Sequence, residues 1–167
     1  MSRRIVHYPH PALEQKAEEI SEITEEIRQL AHDMAEAMYD DKGIGLAAPQ
    51  VGESVCLIIM DLSGPEERSE LMTLVNPRIE EREGEVVSEE GCLSFPELFI
   101  KIRRSEKVTA KGLNLEGEEV TLHADGMLAV CLQHEIDHLH GRVILDHASR
   151  LKRSLYEKKV KKHMDKG

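Results

Sequence analysis

The residues with the clearest chemical potential are His134, Glu135 and His138, which form the pattern His-Glu-x-x-His. On a helix, residues four positions apart lie one turn above each other on the same face, so both imidazoles can reach one metal ion. Glu135 lies next to the first histidine but is rotated away from it, which suits a carboxylate that handles the proton of an attacking water. The preceding residues, 127–132, are too apolar for a solvent-facing helix. The pattern therefore predicts a hydrolytic metal site on a buried helix.

A catalytic metal site typically has three protein ligands, so a third ligand must come from elsewhere in the chain. The metzincin proteases use a third histidine shortly after the motif, but that position holds Ile144, which excludes this class. In thermolysin-like proteases a glutamate from a following helix completes the site. Glu157 has a suitable separation, but the lysines at 158–159 indicate an exposed face. A metal-dependent endopeptidase would need Glu157 or another carboxylate, and this class is the main alternative.

The cysteines offer the other candidate ligands. The chain has Cys56, Cys92 and Cys131, an odd number without an export signal, which argues against a disulfide framework. Cys131 is seven residues from His138, about 10 Å along a helix, and a thiol is too short to span that distance. Cys92 follows Gly91, which lets the chain turn, but an ordinary buried cysteine would fit the same composition. The residues alone leave the third ligand open.

Composition and charge limit the class of protein. The 167 residues fit one domain, with 40% hydrophobic and 32% charged residues, as in soluble globular proteins. The net charge of −10 argues against nucleic-acid binding by the body of the protein. No apolar run approaches the roughly 20 residues of a membrane span, and residues 1–7 lack the apolar region of a signal peptide. We therefore expect a cytoplasmic protein with one catalytic domain over residues 1–167.

Hydrophobic spacing predicts the elements that position the motif. Apolar residues three and four apart, with Thr24 as the N-cap, predict a helix from residue 25 that Gly43 closes in the left-handed conformation. Residues 43–52 read as an apolar loop rich in small residues. Strands are predicted over 55–60, 72–75 (stopped by Asn76 and Pro77), 107–113 and 118–122, and the motif helix from Asp125 or Ala124 to Gly141.

The C-terminal segment predicts a helix over 148–163 with Leu151, Leu155 and Val160 on its inner side. From Arg150 onward the chain carries eight lysines and arginines against two acidic residues. This charge is typical either of a solvated helix or of a docking surface for a polyanion.

Three stretches follow one another as the motifs of one enzyme family do. They are Gly-Ile-Gly-Leu-Ala-Ala-Pro-Gln at 43–50, Glu-Gly-Cys-Leu-Ser at 90–94 and Gln-His-Glu-Ile-Asp-His at 133–138. Together they make the chain resemble peptide deformylase, the enzyme that removes the formyl group from nascent bacterial proteins. The length and the helix–sheet–helix order match too. The resemblance implies an α+β fold, with a mixed, mainly antiparallel sheet around a central metal-binding helix, an N-terminal helix and a C-terminal helix.

The resemblance also assigns a metal site. By position it implies that Cys92, His134 and His138 bind one divalent metal ion. Members of the family use ferrous iron, and zinc, nickel or cobalt is possible in purified protein. One thiolate and two imidazoles suit several borderline metals, so the sequence does not select among them.

Catalytic and substrate contacts follow from the same resemblance. It implies that Glu135 is the general acid and base, and that Gln50 with the backbone N–H of Leu93 forms the oxyanion hole. Around Leu98, Phe99 and Ile100, some relatives carry an arginine near the position of Phe99 that approaches the substrate. The expected substrate contacts lie in a methionine pocket and along a strand edge; they are Ile44, Gly45, Glu90, Met127, Val130 and Cys131.

The expected partners follow from this chemistry. The substrate would be an N-formyl-methionyl nascent peptide, which loses its formyl group as formate. The basic segment 150–167 is expected to contact the ribosome, whose RNA surface is anionic. The alternative, a metal-dependent endopeptidase, would instead cut internal bonds of unformylated peptides.

Overall fold

The computed structural model describes residues 3–166 as an α+β fold built on antiparallel strands. The helices are α1 (Glu25–Asp40), α2 (Gly64–Glu67), α3 (Gly126–Leu139) and α4 (Arg150–Lys166). The strands are β1 (Gly45–Ala47), β2 (Leu57–Met60), β3 (Met72–Glu83), β4 (Val86–Cys92), β5 (Phe95–Arg104), β6 (Lys107–Leu113) and β7 (Glu119–Asp125). A five-stranded sheet has the order β1-β2-β3-β6-β7, and β4 pairs with β5 in a second sheet. The fold class predicted from the sequence is confirmed.

Strand β2 lies between the two main helices, and all four of its residues are buried. Ile58 and Met60 pack with apolar residues of α3, whereas Leu57 and Ile59 pack with those of α1. Because successive side chains of a strand point to opposite faces, a strand covered on both sides needs apolar residues throughout. This explains the unbroken apolar run at 55–60, and it places α3 on one face of the sheet and α1 on the other.

The second sheet packs against the C-terminal part of the chain. Buried and exposed residues alternate along β5, and its buried side chains share a core with Leu145 and Tyr156. The ring of Phe95 lies 6.2 Å from that of Tyr156, so the aromatic contact decides which face of α4 turns inward. The prediction that Leu151 and Leu155 lie on the inner side of this helix is wrong, since these residues are 70% and 57% exposed. The predicted helix itself is confirmed.

The ends of α1 show one confirmed and one wrong prediction. Thr24 is the N-cap, and its hydroxyl accepts a hydrogen bond from the Ile27 N–H. At the other end Lys42, not Gly43, adopts the left-handed conformation, with φ 59°. Gly43 serves a different purpose, because a Cβ there would lie 2.5 Å from Cδ1 of Leu93. The following loop also contains more order than predicted, namely β1 and a 3-10 turn over Ala48–Val51.

Strand β3 does not stop at Asn76 and Pro77 as predicted. Asn76 takes a left-handed conformation with φ 51°, and the register shifts between Val75 and Arg78. The Asn76 side chain bonds both backbone groups of Ile20, at 2.8 and 2.9 Å. This bulge absorbs the proline and lets the strand continue.

The remaining predicted elements hold. Strands β6 and β7 form the predicted hairpin, with Lys107 opposite Asp125 and Leu113 opposite Glu119. Gly141 follows α3 with φ 74°, as a C-terminal glycine should. Across residues 3–166, the helices are too short or too polar to span a bilayer.

Candidate active site

Helix α3 presents the side chains of the His-Glu-x-x-His motif. Asp125 is its N-cap residue, one of the two positions predicted. The rings of His134 and His138 lie with their centroids 5.2 Å apart. His138 is only 1% exposed, because the helix packs on the five-stranded sheet. The one-turn spacing of the motif therefore brings two imidazoles together below the surface.

Cys92 comes from the end of β4 and completes the group. A register shift interrupts the β4–β5 ladder between Glu90 and Cys92, which then pairs with Phe95 across a two-residue turn. Cys92 Sγ lies 3.5 Å from His138 Nε2. One ligand atom each of Cys92, His134 and His138 lie within 4.8 Å of one another. A thiol and two imidazoles at this spacing match the donor set of a transition-metal site.

The charges around the two histidines favour a cation between them. Burial lowers the pKa of His134, but the negative charge of Glu135 and hydrogen bonds to Cys92 and Glu90 outweigh it and raise this pKa well above the usual value. Burial lowers the pKa of His138 well below the usual value, with help from the positive charges of His134 and Arg104. His138 is therefore a neutral imidazole, the form that binds metals. The residues present fit a divalent ion.

A network of charged side chains contacts the ring of His134 through Glu90. His134 Nδ1 lies 2.9 Å from Glu90 Oε1, so Nε2 is the ring nitrogen that can bind a metal. Arg104 of β5 donates to both oxygens of Glu90, at 2.8 and 2.7 Å, and to Asp137 at 2.6 Å. Burial alone would raise the pKa of Glu90, but Arg104 and His134 lower it to about 2. An ionised carboxylate behind a ligating histidine fixes the orientation and tautomer of the ring.

Glu135 lies in a dry environment beside the histidines. It is 4% exposed, and within residues 3–166 its Oε1 has no hydrogen-bond partner. Burial raises its pKa to about 7, despite the opposing charge of His134. A Cβ on Gly45 would lie 2.5 Å from Glu135 Oε2 and 2.8 Å from Cys131 Sγ, so glycine is required for this approach of β1. The arrangement leaves a carboxylate that can take or give a proton near neutral pH.

Gln50 and Leu93 approach the same space from two other segments. Gln50 Oε1 accepts a hydrogen bond from the Ala47 N–H at 3.0 Å. Its amide nitrogen therefore points the other way, 3.2 Å from Ser94 Oγ and 3.4 Å from Cys92 Sγ. Leu93 follows Cys92 in the tight turn, so its N–H lies outside the strand ladder. Both amides are donors beside the Cys-His-His group.

These groups open into one cavity of about 630 Å³ between β1 and β4. Both are edge strands of their sheets, so their outer backbone groups can pair with an extended peptide. The residues expected to contact substrate all line this cavity: Ile44, Gly45, Glu90, Met127, Val130 and Cys131. The expected catalytic residues Gln50, Leu93 and Glu135 line it as well.

Comparison with known proteins agrees with this geometry. A family profile described as Polypeptide deformylase matches residues 2–154. The chain belongs to the polypeptide deformylase family. The peptide deformylase of Thermodesulfovibrio yellowstonii is 49% identical over 157 residues, which cover 94% of this chain and 95% of that protein. The peptide deformylase of Acidobacterium capsulatum is 48% identical over 162 residues, which cover 97% and 95%.

Solved deformylase structures share the whole fold. A peptide deformylase from Legionella pneumophila matches with a TM-score of 0.92 and 39% identity, over 99% of this chain and 96% of that chain. The deformylase of Ehrlichia chaffeensis in complex with actinonin matches with a TM-score of 0.90 and 38% identity, over 98% of both chains. The resemblance found in the three motifs is confirmed, and the chain is a metallohydrolase with peptide deformylase activity on formylated nascent peptides.

The structure also distinguishes among the three residues that were considered as the third metal ligand. Cys92 joins the histidines in a metal site typical of a deformylase. Cys131 lines the cavity instead. Glu157 lies on α4, where its carboxylate accepts a hydrogen bond from Arg153 at 3.1 Å. The carboxylate that an endopeptidase of the thermolysin type would need is therefore engaged elsewhere.

Two features of this deformylase site were not predicted from the sequence. The first is that both carboxylate oxygens of Glu90, a predicted substrate contact that lines the cavity, are engaged by Arg104 and His134. Arg104 itself carries no local signal, because its contact with α3 exists only once β5 is folded. Asp137 could have been noticed, since it lies inside the motif and is the second carboxylate that Arg104 contacts.

Proposed function

We propose that Glu135, Gln50 and Leu93 hydrolyse the formyl amide at the N-terminus of nascent peptides, beside a divalent metal ion held by Cys92, His134 and His138. The observation that carries this proposal is the buried Oε1 of Glu135, which has no hydrogen-bond partner within residues 3–166 and lies next to the three grouped ligand atoms. When bound, such an ion supplies a Lewis acid, which makes water nucleophilic near neutral pH and polarises a carbonyl. We propose ferrous iron, on the resemblance to the family, with zinc, nickel or cobalt as substitutes.

Glu135 is proposed as the group that moves the proton. It accepts a proton from the attacking water and delivers it to the departing nitrogen, which leaves as the free amine of methionine. A pKa of about 7 suits both halves of this exchange, because a general acid–base catalyst works best when its pKa is near the operating pH. The second product is formate.

Gln50 and Leu93 are proposed as the oxyanion donors. The Gln50 amide is oriented by its bond to Ala47, and the Leu93 N–H is free of the ladder. Donors that are already in place when charge develops on the formyl oxygen stabilise the transition state without further reorganisation.

The peptide is proposed to lie extended between the free edges of β1 and β4, beside Ile44 and Gly45. Backbone hydrogen bonds to a strand edge bind peptides of any sequence, which suits an enzyme that meets many nascent chains. The methionine side chain enters the pocket lined by Met127, Val130 and Cys131. The polarisable sulfur atoms of Met127 and Cys131 suit a thioether.

The test is formate release from a formyl-Met tripeptide under anaerobic conditions, with the metal quantified in the same sample. We expect turnover by the wild type, and a loss of about 10²–10⁴-fold in Glu135→Gln with its metal retained. Unformylated peptide serves as the control substrate. Cleavage of that control would favour the endopeptidase, and full activity of Glu135→Gln would remove Glu135 from the mechanism.

Three wider assignments belong to the same proposal. We propose that residues 1–167 act as one catalytic domain in the cytoplasm, where nascent chains carry the formyl group. We propose that α4 contacts the ribosome. The support for this contact is its charge, with eight basic and two acidic residues from Arg150 onward in a chain of net charge −10.

A further inference from the structure

Gln133 directly precedes the ligand His134 in α3, but the proposed mechanism gives it no task. Its side chain is only 4% exposed. It does not line the catalytic cavity, and it is not one of the three grouped ligands. Burying an amide is unfavourable unless its donors and acceptors are paired, so the partners of this side chain indicate what it does.

Every hydrogen-bonding position of the Gln133 amide is occupied. Oε1 accepts from the Ser105 N–H at 2.9 Å and from Arg82 at 3.3 Å. Nε2 donates to the Ser105 carbonyl at 2.8 Å and to the Ala129 carbonyl at 3.0 Å. Two donors and two acceptor positions are the full capacity of a primary amide. Gln133 thus pairs with both backbone groups of Ser105, as an antiparallel strand pairs with both groups of the residue opposite.

Ser105 lies where the chain crosses from one sheet to the other. Arg104 ends β5 of the two-stranded sheet, and Lys107 begins β6 of the five-stranded sheet. The connection between them is the short turn 105–106. Arg82, which contacts the same amide, belongs to β3 of the five-stranded sheet. A single side chain of α3 therefore contacts both the five-stranded sheet and the turn that leads to the other sheet.

The metal ligands lie on different parts of this arrangement. Cys92 belongs to β4 of the two-stranded sheet, whereas His134 and His138 belong to α3. The spacing of the three ligand atoms therefore depends on how the two-stranded sheet is placed against α3. Binding groups must be held to within about 0.5 Å of the productive geometry, so a small shift of the sheet would weaken the site.

The contacts of Gln133 form a closed path back to its own neighbour. Gln133 binds Ser105, which directly follows Arg104. Arg104 donates to both oxygens of Glu90, at 2.8 and 2.7 Å. Glu90 in turn lies 2.9 Å from Nδ1 of His134. Because each link is a peptide bond or a direct hydrogen bond, a displacement of the turn would reach the His134 ring through Arg104.

We propose that Gln133 is a positioning residue, which fixes the two-stranded sheet against α3 and thereby sets the affinity and geometry of the metal site. Its effect passes through Arg104 and not through contact with metal or substrate. This rests on the proposed function, which places a metal ion among Cys92, His134 and His138.

The experiment measures the affinity of the full chain for cobalt(II) by competition with a chelator. The visible spectrum of the bound ion is recorded as well, because it changes with ligand geometry. Gln133→Met keeps a side chain of similar length but cannot form the four hydrogen bonds. We expect the affinity to fall about three- to tenfold, less than the roughly 10–100-fold usual for a group that contacts a ligand directly, and the spectrum to change. Gln133→Asn, whose amide lies one methylene group further from Ser105, gives the same test if the first variant does not fold.

Asn76→Ala is the matched control. The Asn76 amide also binds both backbone groups of one residue, Ile20, at 2.8 and 2.9 Å, but it lies in the bulge of β3. This variant loses the same kind of contact, so its Tm should fall while its cobalt affinity and spectrum stay unchanged.

A double variant tests the route through Arg104. Substitutions within one hydrogen-bond network are not additive, so in Arg104→Met the further change Gln133→Met should lower the affinity by less than about twofold. Full additivity would overturn the inference. So would unchanged affinity in a folded Gln133 variant, or an equal loss of affinity in Asn76→Ala. A wild-type chain that binds no cobalt would contradict the metal site of the proposed function itself, which those three results leave intact.

Discussion

Two buried carboxylates lie within one site and have opposite protonation behaviour. The pKa of Glu90 is lowered to about 2 because Arg104 and His134 overcome the effect of burial. The pKa of Glu135 is raised to about 7 because burial prevails there. When the environments of two carboxylates shift their pKa values in opposite directions, one carboxylate stays ionised and the other can transfer a proton. These opposite shifts support the proposal that Glu90 fixes a metal ligand and that Glu135 transfers the proton.

The role of Gln50 can be tested at the same scale. In Gln50→Ala, kcat should fall about 10²–10³-fold, because one oxyanion donor is lost. Metal content should stay constant, since Gln50 is not one of the three grouped ligands. The measurements are formate release and metal per chain.

Val51→Ala is the control for this substitution, because Val51 is buried in the same 3-10 turn but packs into the α1 core. If both variants lose activity equally, the turn and not the amide is responsible. Equal activity of Gln50→Ala and the wild type would contradict the oxyanion role.

The sequence predicts those site residues that belong to short motifs with fixed spacing. His134 and His138 are one helical turn apart, so a local rule is sufficient to bring them together. Cys92 could be assigned as a metal ligand only through the family resemblance, because a buried cysteine can have several other roles. The partnership of Glu90 with Arg104 could not be predicted, since it depends on how β5 packs against α3.

At the scale of elements, the wrong predictions fall where tertiary contacts override local preference. Glycine is the usual residue in a left-handed helix end, but Gly43 is needed beside Leu93, and Lys42 takes the strained position. Proline usually ends a strand, but Asn76 forms a bulge that is anchored to Ile20. Strands with a strong apolar pattern, such as β2, can be predicted without knowledge of their tertiary contacts.

The Arg104 network joins β4, β5 and α3, and its loss should weaken the metal site from a distance. In Arg104→Met, Glu90 loses its counter-charge and no longer fixes His134. We expect metal affinity to fall about 10–100-fold, the usual cost of removing a group that orients a ligand. Competition with a chelator measures this affinity.

Arg103→Met is the matched control, because the neighbouring arginine is 78% exposed on the opposite face of β5. Unchanged affinity in Arg104→Met would contradict the positioning role. If thermal stability falls but affinity does not, Arg104 supports the fold and not the metal.

For the whole molecule, burial raises the pKa of all three tyrosines: Tyr8, Tyr39 and Tyr156. For Tyr39, burial and the hydrogen bond to Asp61 raise it from 10.0 to about 12. A group whose pKa is higher in the folded state stabilises the fold fully below its unfolded pKa. For Tyr39 that contribution disappears as the pH rises from about 10 to 12, at about 1.4 kcal/mol per pH unit.

Tyr39→Phe tests this linkage. The free energy of unfolding of the variant should fall less steeply above pH 10 than that of the wild type. At neutral pH the variant should be less stable by about 1–3 kcal/mol, because the buried carboxylate of Asp61 loses the Tyr39 hydroxyl as a donor. Urea denaturation from pH 7 to 11.5 measures both effects. Parallel curves would show that Tyr39 does not titrate with unfolding.

The distribution of charge makes the ribosome proposal testable without disturbing the core. Deleting α4 would remove Tyr156, which packs on Phe95, so the informative change is a reversal of exposed charges. Lys158, Lys161 and Lys162 are exposed. Changing all three to glutamate should weaken ribosome binding and flatten its dependence on salt, because fewer counterions are released from RNA.

The control changes net charge by the same amount elsewhere, with Lys16, Lys101 and Lys107 as exposed sites for glutamate. Binding is measured by co-sedimentation with ribosomes between 50 and 200 mM salt, a range over which polyanion binding falls steeply. If both triple variants lose binding equally, net charge and not α4 governs the encounter. Formate release from a free tripeptide should be unchanged in the α4 variant, because none of its three lysines lines the cavity. A loss confined to the α4 variant and to ribosome binding would locate docking on this helix and separate it from catalysis.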